Sequence, residues 1–160
     1  MRTYLLAGLL GSLCLCPAYS QQYTIKFATI APKGTTPMNV MEEFDAAVRK
    51  ESGGRLGFKI YPNNVQGDEK QVLRKIKAGL LQSGGFTGVG MGEIAPEVRI
   101  LETPFLLRSY DEADDVYKVF TDEFGKAFEE GGYVLLGWTE LGFVYVFTNT
   151  PIQQPDDLKG

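Results

Sequence analysis

Three carboxylates near the ends of predicted strands, Glu93, Glu102 and Glu140, are the side chains of this chain best placed for acid–base chemistry. Most other acidic residues fall on predicted helix faces or caps, where they are solvated. A pair of carboxylates, one of them held protonated in a cleft, carries out glycoside hydrolysis. The three glutamates lie on separate loops, and the sequence places no nucleophile–base pair beside them. An exported carboxylate-dependent hydrolase is therefore the alternative function rather than the main one.

The usual catalytic and metal-binding side chains are scarce. The 160 residues contain no histidine, which removes the commonest general base and the commonest zinc ligand. The only cysteines, Cys14 and Cys16, lie in an N-terminal apolar run. The sequence therefore predicts a protein that is not an enzyme and that needs no metal or cofactor.

Neither nucleotides nor nucleic acids fit the pattern. The glycine-dense stretch at residues 84–92 lacks the G-x-G-x-x-G spacing, and its predicted strand follows a helix instead of opening one. Its glycines favour close approach of the backbone to a neighbouring segment or to a ligand, and both readings stay open. A net charge of −4 disfavours binding to phosphate backbones.

The first twenty residues have the features of a secretory signal peptide. Arg2 precedes an apolar run at residues 4–16, Pro17 breaks that run, and Ala18-Tyr19-Ser20 supplies small residues for cleavage after Ser20. The run is shorter than the ~20 residues that span a bilayer. A lipid anchor on Cys14 or Cys16 is the competing reading, but leucine precedes each cysteine where a small residue is expected.

The elements that would position these residues alternate between strands and helices. Apolar and polar alternation predicts strands at residues 23–30, 55–61, 86–91, 134–138 and 143–147. Helix signals run from Thr36, an N-cap followed by Pro37, to Gly53-Gly54; from Asp68, with Gln71 three residues on, to Ser83-Gly84-Gly85; and from Ser109, with Glu112 three residues on, to Gly131-Gly132. This order predicts an α/β fold with a mostly parallel sheet flanked by helices.

Trp138, the only tryptophan, lies at the end of a predicted strand. Ligands of open α/β sheets bind outside the carboxyl ends of the strands, so Trp138 could border a ligand. Packing in the core is the other interpretation, and the sequence does not decide between them.

An ordered series of short stretches resembles one family, the extracytoplasmic solute-binding subunits of TRAP (tripartite ATP-independent periplasmic) transporters of the dicarboxylate-binding type. The stretches are IKFAT at 25–29, SGGRLGFKIYP at 52–62, QGDE at 66–69, IKAG at 76–79, PFLL at 104–107, FTN at 147–149 and DLKG at 157–160. They cover essentially the whole chain after the predicted signal peptide.

The resemblance implies a periplasmic-binding-protein-like fold of two α/β lobes around a cleft. Residues 1–20 would be the signal peptide, 21–150 the first lobe with the approach to the hinge, and 151–160 the start of a second lobe that is missing from this chain. Family members usually clamp a ligand carboxylate with arginine. The strand bearing the principal arginine would follow Gly160, and Val144 stands where many members carry a second one.

The resemblance also implies a site, partners and a location. The cleft edge of the first lobe would be lined by Ile30, Ala31, Thr35, Thr36, Gly90, Met91, Trp138 and Leu141. The free N–H groups at the start of the first helix suit an anion. The implied partners are a small organic anion and the membrane permease subunits of a TRAP transporter, and the implied location is the periplasm. A ligand-sensing domain is a further alternative.

Overall fold

A computed structural model describes residues 23–145 and 147–158. The predicted signal peptide, its cleavage site and the lipid-anchor alternative lie outside the described residues. Strands and helices alternate along the chain as β1 (Tyr23–Thr29), α1 (Thr36–Glu51), β2 (Leu56–Tyr61), α2 (Glu69–Lys77), β3 (Ser83–Gly85), α3 (Gly88–Ile94) and α4 (Tyr110–Glu130). Short 3₁₀ helices occupy Pro96–Glu102 and Pro155–Leu158. Every helix within the described ranges is too short or too polar to span a bilayer.

The sheet has three parallel strands in the order β2-β1-β3. Ile25 of β1 lies beside Phe58 of β2, and Ala28 of β1 lies beside Gly84 of β3. Parallel neighbours need a crossover connection, and α1 and α2 supply the two crossovers. The predicted α/β class with a parallel, helix-flanked sheet is confirmed.

The first helix begins one residue earlier than predicted, so the assignment of Thr36 as N-cap is wrong. Thr35 is the N-cap, and Pro37 lies one residue further into the first turn. The Thr35 hydroxyl donates to the Pro32 carbonyl at 2.7 Å, and the Thr35 carbonyl accepts the N–H of Met38 at 3.0 Å. The turn at Pro32 therefore directs the Thr35 carbonyl into the helix and sets the start of the hydrogen-bond ladder.

The predicted strand at residues 86–91 is also wrong. The strand is Ser83–Gly85, which had been predicted as a helix stop, and Gly88–Ile94 forms α3 instead. Helix α2 already ends at Lys77, because Gly79 with φ of +74° supplies the left-handed residue that closes it. The alternation of apolar and polar residues could not reveal α3, because the start of this helix is held by the Glu69 side chain of α2.

The two strands predicted at residues 134–138 and 143–147 are irregular in the described part of the chain. A strand needs a neighbouring backbone to pair with, and the described residues of these segments pair with none of the three strands. Val134 and Leu136 are exposed, while Tyr133 and Leu135 pack on the core. The alternation of the side chains therefore reflects burial of one side of the segment and not hydrogen bonding to a neighbouring strand.

The core divides into two apolar clusters. One lies against the sheet and contains Ala28, Val72 and Leu81. The other lies between α4 and the 3₁₀ helix Pro96–Glu102 and contains Ala95, Val98, Phe124 and Phe128. The second cluster holds α4 in place through Phe124 and Phe128, although Phe120 of the same helix stays exposed.

The outer edge of β2 is covered by two polar side chains of α1. The Asp45 carboxylate accepts the Phe58 N–H at 2.6 Å and the Arg49 Nε–H at 2.8 Å. Arg49 Nη2 donates to the Phe58 carbonyl at 3.0 Å. Gly57 leaves the room that the guanidinium occupies, since a Cβ there would overlap it. Both backbone groups of Phe58 are thereby satisfied at a sheet edge.

We expect Asp45→Asn to lower the free energy of unfolding by about 1–2 kcal/mol at neutral pH. Burial by itself raises the pKa of Asp45, but the hydrogen bonds from Arg49 and the Phe58 N–H and the charge of Arg49 outweigh it, so the pKa is lowered. A carboxyl whose pKa is lowered on folding stabilises the fold above its unfolded pKa and loses that contribution as pH falls through its folded pKa. Urea unfolding from pH 7 to about pH 2 should therefore show the difference between Asp45→Asn and wild type shrinking. Glu42→Gln, an exposed change on the same helix, is the control. A pH-independent difference would contradict the assignment.

Candidate ligand-binding site

The candidate site lies at the carboxyl edge of the sheet, where ligands of open α/β sheets bind. Thr29 at the end of β1 is paired with Gly85 at the end of β3, so the segments that follow them leave the sheet side by side. Ile30 and Ala31 follow β1, and the loop into α3 follows β3. The structure therefore brings the predicted residues after β1 to the same edge as those around Gly90.

A turn after β2 completes this edge, and the sequence reasoning did not assign it to the site. Asn63 and Asn64 both have positive φ, of 56° and 61°. The Asn63 N–H donates to the Ala31 carbonyl at 3.0 Å, and its side-chain oxygen accepts the Lys33 N–H at 3.1 Å. The signal in the sequence was the Asn pair, because asparagine enters the left-handed region more readily than most residues.

The start of α1 faces this edge with an open first turn. The Thr35 hydroxyl is engaged by the Pro32 carbonyl and caps no N–H of the helix. The first turn carries no acidic side chain. Partial positive charge at a helix start attracts anions, so an uncapped start is suited to a carboxylate. Thr35 is half-buried and Thr36 is exposed.

The loop after β3 is held by a buried carboxylate, Glu69, at the start of α2. Glu69 is only 5% exposed. Its Oε1 accepts the Thr87 N–H at 2.7 Å, and its Oε2 accepts the Thr87 hydroxyl at 2.9 Å and the Gly90 N–H at 2.7 Å. One charged group thus satisfies two backbone donors at the start of α3 and fixes that helix to α2.

The glycines of α3 make this approach possible. A Cβ on Gly90 would lie 2.9 Å from the Glu69 carboxylate and 2.6 Å from the Phe86 ring. A Cβ on Gly88 would overlap the Glu102 carboxylate, whose Oε1 accepts the Gly88 N–H at 2.9 Å. These two glycines therefore allow close approach to neighbouring carboxylates, one of the two readings that the sequence left open.

Each of the three carboxylates considered for catalysis has different neighbours. Glu102 holds the Gly88 N–H, and Glu93 forms an ion pair with Lys70 at 2.8 Å. The hydrogen bond and charge of Lys70 hold the pKa of Glu93 below its ordinary value, which is the opposite of what a general acid requires. Glu140 is exposed on the irregular segment after Trp138. Their contacts give this trio no shared cleft.

The remaining predicted site residues lie near α4. Met91 and Trp138 both pack against the cluster of Val98, Phe124 and Phe128. The Trp138 Nε1–H donates to the Thr121 hydroxyl at 3.1 Å. Leu141 is 69% exposed. The structure thus joins Met91 to Trp138 through the core, and the proposed ligand contacts of Trp138 and Leu141 stay predictions.

Glu69 was missed as a structural anchor by the sequence reasoning, although the sequence contains a signal for it. Val72, Leu73 and Ile76 follow Glu69 at spacings of three, four and seven residues, which places the carboxylate on the apolar face of α2. A charged residue on an apolar stripe is buried only when it is paired or hydrogen-bonded.

Comparison with known proteins agrees with this architecture. Residues 27–160 match the family described as bacterial extracellular solute-binding protein, family 7. A solute-binding protein of Chromohalobacter salexigens is 30% identical over an alignment of 125 positions that covers 75% of this chain and 36% of that protein. The C4-dicarboxylate-binding periplasmic protein DctP of Rhodobacter capsulatus is 24% identical over a gapped alignment of 166 positions that covers 98% of this chain and 49% of that protein. The chain thus spans half or less of the length of these two relatives.

A solved structure shares the fold. A TRAP periplasmic solute-binding protein from Pseudomonas putida F1, with bound D-glucuronate, superposes with a TM-score of 0.73 at 28% identity, over 86% of this chain and 46% of that one. The resemblance to solute-binding subunits of TRAP transporters is confirmed. The chain belongs to family 7 of the bacterial extracellular solute-binding proteins.

Proposed function

We propose that this protein is the periplasmic solute-binding component of a TRAP-type secondary transporter, which captures a small organic acid and delivers it to membrane permease subunits. Family 7 consists of solute-binding proteins rather than enzymes. The Pseudomonas putida relative holds D-glucuronate, and the Rhodobacter capsulatus relative is named for C4-dicarboxylates. Both ligands are organic acids, which supports the same ligand class here.

The observation that carries the proposal is the open start of α1 at the carboxyl edge of the sheet. Ile30 and Ala31 after β1, Thr35 and Thr36 at the helix start, and Gly90 in the α3 loop form the proposed wall for the ligand. The Thr36 N–H would receive the carboxylate, because Pro37 has no N–H and the next two N–H groups of the helix already donate to the Thr35 carbonyl. Because the Gly90 N–H already donates to the Glu69 carboxylate, Gly90 would contribute to the shape of the site and would not donate a hydrogen bond to the ligand.

Calorimetric titration with D-glucuronate, succinate and uncharged glucose tests the proposal. We expect at least one acid to bind saturably and glucose to bind weakly or not at all. Thr36→Val, which keeps the side-chain volume and removes an exposed hydroxyl, should weaken binding of that acid about tenfold, since a hydrogen bond to a charged group contributes ~1.5–3 kcal/mol. Thr103→Val is the matched control, because Thr103 is an exposed threonine at the end of the 3₁₀ helix. Absence of acid binding together with turnover of a glycoside would favour the hydrolase alternative.

Export is the second part of the proposal. An extracellular family requires passage through the inner membrane, and residues 1–20 carry the charge, apolar run and small residues of a signal peptide. We expect the mature protein to begin at Gln21 in the periplasmic fraction. N-terminal sequencing of that fraction measures this directly, and an intact Met1 or a lipid on Cys14 or Cys16 would contradict it.

A further inference from the structure

We propose that the exposed side of α2 carries a binding site for a tetrahedral dianion of the phosphate or sulfate class. A cavity of about 130 Å³ lies between α2, the end of α3 and the segment after α4. Its lining residues are Lys70, Leu73, Arg74, Lys77, Glu93, Ile94 and Tyr133. This inference goes beyond the proposed organic-acid site, because none of these residues belongs to that site.

The charges of the cavity favour a ligand with two negative charges. Lys70 is neutralised by its 2.8 Å ion pair with Glu93. Arg74 and Lys77 also line the cavity, and the salt bridges found among the described residues give neither of them a carboxylate partner. Two positive charges therefore remain in excess, although the whole chain carries −4. A dianion would neutralise them.

Glu69, the acidic residue of α2, does not reduce the excess of positive charge on the exposed side of this helix. Glu69 is buried, and its carboxylate accepts hydrogen bonds from the Thr87 and Gly90 N–H groups. Lys75 on the same helix donates to the main-chain and side-chain oxygens of Gln66, which are uncharged acceptors. Lys70, Arg99 and Lys77 all lower the pKa of Glu93, in agreement with an excess of positive charge around the cavity.

The size and the donors of the cavity fit a small oxyanion. Sites for drug-sized ligands measure about 300–1,000 Å³, so this cavity is too small for them. Arginine binds phosphate-class anions with two parallel N–H donors, and lysine adds a point charge. Tyr133 also lines the cavity, although its hydroxyl is buried. Tetrahedral oxyanions offer acceptors in several directions.

The test is a titration of the protein with sodium phosphate and with sodium sulfate at constant ionic strength, followed by backbone amide NMR. Constant ionic strength matters because both anions also stabilise proteins by exclusion from the surface. We expect saturable shifts confined to residues 70–77, 93–94 and 133, with a Kd of order 1 mM. Sodium acetate, a monoanion, should bind at least several-fold more weakly.

Three variants make the result decisive. Arg74→Gln/Lys77→Gln should weaken phosphate binding at least tenfold, whereas Lys118→Gln/Lys126→Gln, which removes the same charge from exposed α4, should leave it unchanged. Glu93→Gln should strengthen binding several-fold, because it removes the repelling carboxylate and releases Lys70. Such a gain cannot arise from damage to the fold. Unsaturable shifts that are equal in the two double variants, or acetate binding as tight as phosphate, would overturn the proposal.

Discussion

Glu69→Gln should lower the free energy of unfolding by about 3 kcal/mol, because it removes a carboxylate that holds α3 to α2. The carboxylate accepts three hydrogen bonds, from the Thr87 N–H, the Thr87 hydroxyl and the Gly90 N–H. Glutamine has nearly the same shape, but its NH₂ group would face donors instead of accepting from them. At least one buried donor then loses its partner, at a cost of about 1–3 kcal/mol, in addition to the loss of charge-assisted bonds worth ~1.5–3 kcal/mol each.

Guanidinium unfolding and amide hydrogen exchange measure this effect at two levels. Exchange of the Thr87 and Gly90 amides should accelerate more than that of α1 amides, because Glu69 fixes the start of α3. Glu97→Gln is the matched control, an exposed glutamate in the first turn of the 3₁₀ helix. Wild-type stability and protection in Glu69→Gln would show that the carboxylate does not anchor α3. Because α3 carries Gly90 and Met91, weaker organic-acid binding in Glu69→Gln would also support their place in the site.

Trp138→Ala should cost about 3–5 kcal/mol of unfolding free energy, the range for truncating a large aromatic side chain in a core. The indole stacks on Tyr117 at 5.2 Å between ring centroids and meets the edges of Phe124 at 5.9 Å and Phe128 at 6.4 Å. Its N–H also donates to the Thr121 hydroxyl. All four partners belong to α4, so the indole attaches the irregular segment after that helix to the core.

Thermal unfolding of Trp138→Ala and Trp138→Phe separates packing from ligand binding. Trp138→Phe should recover part of the lost stability, because it restores ring contacts without the Thr121 hydrogen bond. Val119→Ala, an exposed truncation on α4, should have little effect. If Trp138→Ala keeps its stability and instead loses organic-acid binding, the tryptophan lines the ligand rather than the core. That outcome would favour the ligand-side reading of this residue.

Features that depend on neighbours along the chain can be predicted from residue type and spacing. Asp68 caps α2 through the Gln71 N–H at 2.7 Å, as the three-residue spacing predicts. The Ser109 hydroxyl caps α4 by accepting the Glu112 N–H at 3.2 Å, and the Glu112 carboxylate accepts the Arg108 N–H. These contacts close within three or four residues, so residue type and spacing are sufficient to predict them. The α/β class follows from the succession of strand and helix signals along the chain.

The conformations of the region from β3 to α3 and of the segment after α4 depend instead on contacts between distant parts of the chain. The bonds that set the start of α3 join Glu69 to Thr87 and Gly90 across 18 and 21 residues, and no local pattern at 86–91 records them. The segments at 134–138 and 143–147 alternate like strands, but pairing requires a backbone neighbour that local pattern cannot supply. Trp138 is likewise placed by four side chains of α4. For the caps of α2 and α4 the sequence suffices, whereas a buried charge or a strand that must find a distant partner is placed by the packing of the whole fold.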